Sequence, residues 1–375
     1  METVKLKDVV MRVKDKIDKD NTHLEYYVGG EHIDSGELCI TKRGRLEGST
    51  IGPAFHMHFM PGDVLLMSRN PHLKKAAVVD FEGICSDVSY ICRTKDENVL
   101  SQRYLPFIFQ TDHFWKFVEE NKKGGLPFFL NWSDFERYEF PLPDIDEQNK
   151  MADLLWSAQN TKLAYIELLK QTDELVKSQF IELFGNPITN SKHWLTKPLK
   201  EVAPEYTAKI PKADKYWWLN LDMIETYSGQ IIEKIYAKFD DIGNSTSTFD
   251  DTMVLYSKLR PYLNKVVVPD ENGYATTELV GLKPDSKILN KYFLFNLLRG
   301  DDFVNFANGV SGGAQMPRMP LKILRDFECI LPPIELQEAF VEIAQQSDKS
   351  KFEIKKAIEK VNVLMKSLLK QIYND

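Results

Sequence analysis

Two long stretches of the chain place apolar side chains three and four residues apart, which is the spacing of an amphipathic helix. The first stretch, residues 142–186, has Pro141 and Pro143 at its start and stops at Gly185-Asn186-Pro187. Proline prevents an earlier helix start, and glycine followed by proline is typical of a helix end. At about 1.5 Å per residue, such a helix is about 50–60 Å long. Compact domains rarely hold a helix of this length, so the pattern predicts a rod.

The second stretch covers residues 331–375 and carries a heptad-like apolar stripe. Residues 346–351 lack apolar side chains, so we expect the helix to break or shift there. Two long helices with matching stripes bury them most simply against each other, and an antiparallel pair suits a chain that returns between them. The positions predicted to pack between the two helices are Leu155, Ala158, Ile166, Leu169, Val176, Ile358, Val361, Leu364 and Leu368.

The two stretches begin with related motifs, which indicate an internal repeat. The sequence LPDIDEQ ends at Gln148, and LPPIELQ ends at Gln337, 189 residues later. Further matches follow in the same order at nearly the same offset: Ser68 with Ser257, Pro71 with Pro261, Gly83 with Gly273, Phe114 with Phe303, and Gly124-Gly125 with Gly312-Gly313. A period near 190 residues is too long for a solenoid, so it indicates duplication and a pseudo-twofold molecule.

The segments between the rods contain short β-rich runs and aromatic helical runs. In the first half we predict a helical segment at 104–120 and strands at 22–28, 37–41, 64–68, 76–80 and 86–92. The second half repeats this order, with helices at 290–299 and 301–307 and strands near 253–257, 265–269 and 276–281. The predicted fold class is α+β, with two globular domains alternating with two long helices that pack as an antiparallel coiled coil. The predicted boundaries give segments 1–141, 142–186, 187–330 and 331–375.

Composition narrows the functional classes only slightly. The net charge of −7 over 375 residues does not indicate a nucleic-acid binder, but only the contacting face of such a protein must be basic. The chain has no run of eighteen apolar residues, and its first residues lack the apolar core of a signal peptide. Its four cysteines form no CxxC pair. We therefore expect a cytoplasmic protein, because free thiols fit a reducing compartment.

A search for catalytic motifs finds none that points to an active site. The sequence contains no GxxxxGK[ST], GxGxxG, HExxH or GxSxG motif. His56 and His58 could supply half of a metal site from one face of a strand, but histidines at such positions are more often ordinary strand residues. We therefore predict no metal, no cofactor and no catalytic residue in this chain.

Basic residues gather at turns and hairpin tips, where aromatic and amide side chains are interleaved with them. Lysine and arginine grip phosphates, while arginine, asparagine and glutamine can read base edges. The alternative is that these are ordinary solvated loops, but their duplication favours a duplex ligand with two half-sites. Lys74, Lys75, Arg260 and Lys265 are expected to contact phosphates. The full set of candidate DNA-binding residues is Lys42, Arg43, Arg45, Arg69, Lys74, Lys75, Tyr256, Lys258, Arg260, Asn264, Lys265, Gln315 and Arg318.

Three sequence features together resemble the specificity subunit (HsdS type) of type I restriction-modification enzymes. They are the repeated LPDIDEQ and LPPIELQ helix starts, the FIELFGNPITN exit from the first rod, and the GVSGGAQMPRMPLKILRDFECILPP stretch before the second rod. The resemblance covers essentially the whole chain. In one departure, the loop after Gly124-Gly125 and the loop after Gly312-Gly313 are expected to differ by about three residues, so equivalent contacts are not expected there.

The resemblance implies a function without catalysis in this chain. Each globular domain would be a target recognition domain that reads one half of a split DNA sequence. The helical pair would fix the unread gap and help to bind two modification (methyltransferase) subunits, which carry S-adenosylmethionine and methylate adenine. Restriction subunits with motor and nuclease activity would join to cut unmodified DNA.

Two alternatives stay open at this point. A non-DNA coiled-coil scaffold that assembles partner proteins would bind without the steep salt dependence of phosphate contacts. A fused nuclease or methyltransferase would need an added catalytic motif, whereas the repeat already accounts for the 375 residues.

Overall fold

A computed structural model describes residues 2–243, 246–313 and 315–373. The chain forms two compact units. Unit 1 comprises Met1–Glu167 together with Ile354–Asp375, and unit 2 comprises Leu168–Glu353. Unit 1 is therefore built from two separate pieces of sequence. These units divide the chain differently from the four predicted segments, whose boundaries stay predictions.

Unit 1 contains short strands arranged in three sheets. The strands are β1 Glu2–Lys5, β2 Val10–Val13, β3 Tyr26–Val28, β4 Gly44–Arg45, β5 Phe55–Phe59, β6 Val64–Met67, β7 Ala76–Val78, β8 Gly83–Ser86, β9 Ser89–Thr94 and β10 Glu139–Leu142. A mixed sheet has the order β4-β3-β8-β5, in which β3 and β8 are parallel. An antiparallel sheet has the order β2-β9-β6-β7, and β1 pairs with β10.

The antiparallel sheet of unit 1 is the middle layer, because its strands bury side chains on both faces. On β6, Val64 and Leu66 face a core shared with the helices, whereas Leu65 faces a core shared with the mixed sheet. A strand that is buried on both faces is apolar at consecutive positions, as Val64–Met67 is. The mixed sheet instead alternates, with Met57 and Phe59 of β5 buried and His56 and His58 half-buried.

The helices of unit 1 cover the other face of this antiparallel sheet. They are α1 Leu6–Val9, α2 Leu105–Ile108, α3 Asp112–Asn121, α4 Trp132–Phe135 and the first part of α5 Ile145–Phe184. Thr111 caps α3, since its hydroxyl accepts a hydrogen bond from the Phe114 amide at 3.2 Å. The aromatic side chains of α2, α3 and α4 pack into the core beside Leu155 of α5.

Unit 2 repeats the strand order of unit 1, except that the described residues of its antiparallel sheet include no counterpart of β2. Its strands are β11 Thr196–Pro198, β12 Tyr216–Leu219, β13 Ile235–Ala237, β14 Thr246–Phe249, β15 Val254–Ser257, β16 Val266–Val267, β17 Gly273–Thr276, β18 Leu279–Leu282 and β19 Glu328–Ile330. The mixed sheet has the order β13-β12-β17-β14 with β12 and β17 parallel, the antiparallel sheet has the order β16-β15-β18, and β11 pairs with β19. The helices are α6 Leu199–Val202, α7 Lys291–Arg299, α8 Asp301–Val310 and α9 Leu321–Arg325, together with the last part of α5 and the first part of α10 Ile334–Gln371.

The two long helices run antiparallel within each unit. In unit 2, Phe180 of α5 meets Phe340 of α10 with ring centroids 5.4 Å apart, and Lys351 is paired with Asp173 at 2.8 Å. In unit 1, Leu368 of α10 packs against the core that contains Ala152 and Leu155 of α5, and Ile372, which directly follows α10, is part of that core. The predicted α+β class with two long helices is confirmed.

The expected break at residues 346–351 is wrong, because α10 is continuous through them. Lys351 is held in that turn by Asp348 and Asp173, and Ser347 is buried, so polar residues occupy the helix without interrupting it. Among the predicted packing positions, Leu155 and Ala158 are buried, whereas Ile166 and Leu364 are largely exposed. The others, Leu169, Val176, Ile358, Val361 and Leu368, are partly buried.

Several strand predictions differ from the structure in extent. The segment predicted at 37–41 forms a single bridge between Cys39 and Val78 instead of a strand. The segment predicted at 86–92 contains a tight turn at Asp87-Val88 that separates β8 from β9, and β17 and β18 are separated in the same way. Within the described residues, no helix is both long and apolar enough to cross a membrane.

Candidate nucleic-acid interface

A tight turn with unusual backbone geometry occurs at the same place in both units. In unit 1, a single 3-10 turn at Pro71–Leu73 is flanked by Asn70 at φ 52° and Lys74 at φ 50°. In unit 2, the turn at Pro261–Leu263 is flanked by Arg260 at φ 49° and Asn264 at φ 48°. Non-glycine residues seldom adopt positive φ, and such strained positions cluster at functional sites.

A short hairpin lies beside each turn. In unit 1, Lys123 and Phe129 exchange backbone hydrogen bonds of 2.7 and 2.9 Å, and in unit 2 Gly312 and Arg318 exchange bonds of 3.3 and 3.0 Å. The two closing pairs enclose the same number of positions. The expected three-residue difference between these loops is therefore wrong, since the apparent difference disappears when the closing pairs are aligned.

Backbone hydrogen bonds join each turn to its hairpin. The Asn70 amide donates to the Phe128 carbonyl at 2.8 Å, and the Arg260 amide donates to the Pro317 carbonyl at 2.7 Å. We call residues 69–74 with 122–129, and residues 258–264 with the described part of 312–318, the turn–hairpin surface of each unit.

The turn–hairpin surface of unit 1 combines cations with exposed apolar side chains. Arg69 lies over the Phe129 ring at 5.4 Å, and Lys122 lies over the Phe128 ring at 4.4 Å. Lys74 projects into solvent, and Leu126 is 87% exposed at the hairpin tip. A surface of this kind offers both phosphate contacts and apolar contacts to bases.

The turn–hairpin surface of unit 2 has different side chains on the same backbone. Arg318 is exposed and pairs with Glu278 at 3.0 Å. Tyr262 and Met316 are about half-exposed, and Gln315 is exposed. The other two predicted cations, Lys258 and Arg260, are partly buried.

Four of the candidate DNA-binding side chains are occupied inside the fold. The ammonium groups of Lys75 and Lys265 each donate to a backbone carbonyl at 2.5 Å, that of Gly30 and that of Leu221. Burial lowers the pKa of Lys265. Tyr256 is buried beside Met319, and Asn264 is buried and donates to the Arg299 carbonyl at 2.8 Å. The geometry therefore argues against the predicted DNA contacts of these four residues.

The remaining candidates of unit 1 lie on or just before β4, the edge strand of the mixed sheet. Arg43 stacks on Tyr26 at 3.9 Å, Lys42 pairs with Asp34 at 2.7 Å, and Arg45 is exposed on β4. They form a cationic edge apart from the residues that define the turn–hairpin surface of unit 1.

In the predicted half metal site, His58 is hydrogen-bonded to other side chains. The ring of His58 bonds to Asp15 and Glu82, each at 2.8 Å, so both of its nitrogens are occupied. Burial alone would lower the pKa of His58, but these two hydrogen bonds outweigh it and raise the pKa above its ordinary value. Among the described residues, no group of three or more His, Cys, Asp or Glu side chains is arranged to hold a metal ion.

Sequence reasoning missed several residues of these surfaces. Lys122, Phe128 and Phe129 were not candidates, and neither was Glu278, which fixes Arg318. The 189-residue offset could have found Phe129, because it carries Phe129 onto the candidate Arg318. The offset carries Lys122, Phe128 and Glu278 onto no candidate, so it gives no signal for them.

Comparison with known proteins gives one consistent result. Residues 191–362 match a family model described as the type I restriction modification DNA specificity domain. The chain is 21% identical over 329 residues to the type I restriction enzyme EcoDI specificity subunit of Escherichia coli, a match that covers 74% of this chain and 72% of that protein. It is 20% identical over 383 residues to the putative type I restriction enzyme MjaX specificity subunit of Methanocaldococcus jannaschii, and this match covers 94% and 87% of the two chains.

Solved structures share the fold. The S subunit of a type I restriction-modification system from M. genitalium matches with a TM-score of 0.58 at 14% identity, over 100% of this chain and 96% of that one. A chain from a study of complex assembly and conformational transition in the type I R-M system matches with a TM-score of 0.57 at 18% identity, over 99% and 97% of the two chains.

Proposed function

We propose that this chain, which belongs to the type I restriction-modification specificity subunits, reads a split DNA target with one half-site on each unit. Its membership confirms the resemblance found in the sequence. As a specificity subunit, the chain supplies DNA target recognition, and it is not the catalytic subunit of its complex.

The observation that carries the split-target proposal is the repeated turn–hairpin surface. Both units use one backbone arrangement, with two positive-φ residues flanking a proline turn and a closed hairpin bonded to it. The side chains on this arrangement differ between the units. Equal scaffolds with unequal side chains are what two different half-sites require, because base edges are read by side chains while the backbone sets the position.

The long helices are proposed to set the gap and to bind the modification subunits. Large apolar side chains on α5 and α10 are exposed, which is typical of a surface that is covered by a partner. They include Leu154, Leu168, Leu175, Val363 and Leu364. In this proposal two modification subunits carry S-adenosylmethionine, restriction subunits join them, and the assembly acts on DNA in the cytoplasm.

The first test is adenine methylation mapping of DNA from cells that contain this chain and its modification subunit. We expect a motif of two short half-sites separated by a fixed unread gap. The absence of any motif, when the methyltransferase partner is shown to be active, would leave the protein without a target-reading role.

A second experiment tests the role of the helices. Inserting one helical turn into α5, with a matched turn in α10, should change the gap and leave both half-sites unchanged. If the half-sites change and the gap does not, the helices do not set the spacing.

The scaffold function is favoured by the same exposed apolar positions on α5 and α10, which would serve a protein partner without DNA. Affinity for duplex DNA as a function of salt separates the two functions. A split-target reader should lose affinity steeply as salt rises, because phosphate contacts release counterions. A scaffold should show no specific duplex binding at any salt concentration.

A further inference from the structure

One position of the turn–hairpin surface exchanges its side chains between the units. In unit 1, Arg69 on the turn side is bridged through the backbone to Phe129 on the hairpin. In unit 2, the corresponding bridge joins Leu259 on the turn side to Arg318 on the hairpin. Each bridge thus joins one arginine to one apolar residue. The arginine lies on the turn side in unit 1 and on the hairpin side in unit 2.

A neighbouring turn in each unit shows that the two bridges are equivalent. The Ser68 amide donates to the Val88 carbonyl at 3.0 Å, and the Lys258 amide donates to the Glu278 carbonyl at 3.1 Å. Val88 and Glu278 therefore occupy the same place beside the bridge. The exchange of side chains occurs on one shared backbone and not on two unrelated loops.

Each arginine is held by a neighbouring side chain in a way that leaves donors free. Glu278 takes the Nε and one Nη2 donor of Arg318, at 3.2 and 3.0 Å. Since a guanidinium has five N–H donors, three remain on the outer edge of Arg318. Arg69 rests on the Phe129 ring at 5.4 Å, and in the described part of the chain it has no carboxylate partner.

We propose that Arg69 and Arg318 are the base-reading side chains of the two half-sites, each directed at a guanine. This inference rests on the proposed function and names residues that determine its specificity. An arginine that is held in place can donate two parallel hydrogen bonds to O6 and N7 of guanine, which is the commonest specific contact in the major groove. Because Arg69 projects from the turn side and Arg318 from the hairpin side, the two units present the same chemistry at different places and read different half-sites.

Substitution by lysine separates base reading from phosphate contact. Arg69→Lys and Arg318→Lys keep the positive charge but lose the paired donors of the guanidinium. In cells that contain the modification subunit, we expect Arg69→Lys to relax one guanine in one half-site, and Arg318→Lys to relax one guanine in the other. Discrimination at the affected base should fall about five- to 150-fold, since a good bidentate pair contributes about 1–3 kcal/mol.

Matched controls are exposed arginines away from these surfaces, one in each unit. Arg103 pairs with Asp153, and Arg325 pairs with Glu205. Arg103→Lys and Arg325→Lys should leave the methylation motif unchanged. Two half-sites that stay unchanged in both Arg69→Lys and Arg318→Lys would overturn the base-reading assignment while leaving the split-target function in place. A wild-type chain without a split motif would overturn both.

A second test moves the arginine from the turn side to the hairpin side of unit 1. Arg69→Leu should lose discrimination in one half-site. The triple variant Arg69→Leu, Val88→Glu and Phe129→Arg copies into unit 1 both the arginine of unit 2 and the carboxylate that holds it. We expect the triple variant to regain guanine selection in that half-site. Equal loss in the single and triple variants, with normal discrimination in the other half-site, would refute the equivalence of the two arginines.

Discussion

At the scale of single residues, two buried glutamines fix the starts of the long helices. Gln148 accepts a hydrogen bond from the Ser101 amide at 3.0 Å and donates to the carbonyls of Val99 and Pro143, each at 2.9 Å. Gln337 makes the same three bonds in unit 2, with Asn290 at 2.9 Å, Ile288 at 3.0 Å and Pro332 at 2.8 Å. The glutamine of each LPxIxxQ motif is therefore a clamp between a helix start and its globular part.

Removing this clamp should destabilise one unit at a time. Gln148→Leu leaves the buried Ser101 amide and two carbonyls without partners, and an unsatisfied buried donor costs about 1–3 kcal/mol. Hydrogen exchange followed by mass spectrometry should show faster exchange in unit 1 with unit 2 unchanged, and Gln337→Leu should do the reverse. Gln345→Leu, at an exposed position of α10, is the control. Equal protection in Gln148→Leu and the control would contradict the clamp.

His58 should make the stability of unit 1 depend on pH. Its bonds to Asp15 and Glu82 raise its pKa in the folded state, despite burial, so its contribution is complete below the unfolded value of about 6.5 and is lost as the pH rises through the folded value. Hydrogen exchange of β5 at a series of pH values, corrected for intrinsic rates, should show this loss. His58→Gln should remove the pH dependence and His56→Gln should retain it; a His58→Gln profile like that of the wild type would exclude His58 as its source.

Some residue roles were visible in the sequence and others were not. The two glutamines were found because they recur in a motif at a fixed offset. Lys75 and Lys265 were expected on the DNA because they are basic residues near a turn. Their bonds to Gly30 and Leu221 depend on carbonyls about 45 residues earlier in the chain, and only the tertiary fold brings these atoms together.

At the scale of elements, the apolar stripe of the long helices is not buried uniformly. Leu155 is 0% exposed in the core of unit 1, whereas Leu364 on α10 is 51% exposed. Both positions belong to the stripe that predicted the helices. The spacing of the apolar side chains identifies the helices, but how far each side chain is buried depends on which residues pack over it.

This difference in burial predicts that replacing leucine by aspartate has unequal effects at the two positions. Leu155→Asp removes buried apolar contacts and introduces an unpaired charge, so we expect unit 1 to lose at least about 3 kcal/mol. Leu364→Asp should change the stability of the isolated chain by no more than about 0.5 kcal/mol, as is usual at a surface position. Urea unfolding with exchange-based readout of unit 1 measures both. Comparable losses at the two positions would show that Leu364 is packed within the isolated chain.

The strands show why element prediction from sequence was only partly successful. The run Val64–Met67 was predicted because its sheet is buried on both faces. Residues 37–41 instead alternate, with Leu38 and Ile40 buried, and they exchange two hydrogen bonds with Val78. The pairing stops after one bridge. The alternation of apolar and polar residues here therefore reflects the burial of Leu38 and Ile40 and does not indicate a strand.

At the scale of the whole molecule, unit 1 is completed by a distant piece of sequence. Leu368, Leu369 and Tyr373 pack against its core, and Ile372 is part of that core. The ring of Tyr373 also stacks on His113 with centroids 4.3 Å apart. The sequence repeat predicted two similar halves, but it did not show that one half draws on both ends of the described chain.

Deleting residues 354–373 should therefore damage unit 1 selectively. The deletion uncovers the apolar surface around Ala152 and Leu155, whereas the Phe180 and Phe340 contact of unit 2 remains. We expect rapid proteolysis and fast hydrogen exchange in residues 2–167, with protection retained in unit 2. Replacing the same segment with a helical sequence that lacks its apolar residues should give the same result. Full protection of unit 1 in either variant would show that its core is closed without α10.

The two-piece construction of unit 1 also has a consequence during synthesis. The 186 residues of unit 2, Leu168–Glu353, are translated between the two pieces. At about 5–20 residues per second, the ribosome needs about 9–40 s to make them. The first piece of unit 1 therefore leaves the ribosome first, but its core stays incomplete until the second piece has been made. The continuous unit 2 can fold as soon as it has left the ribosome. The order of emergence from the ribosome and the order of folding are opposite, so the interval before α10 arrives is when the nascent chain is most open to aggregation and to chaperone binding.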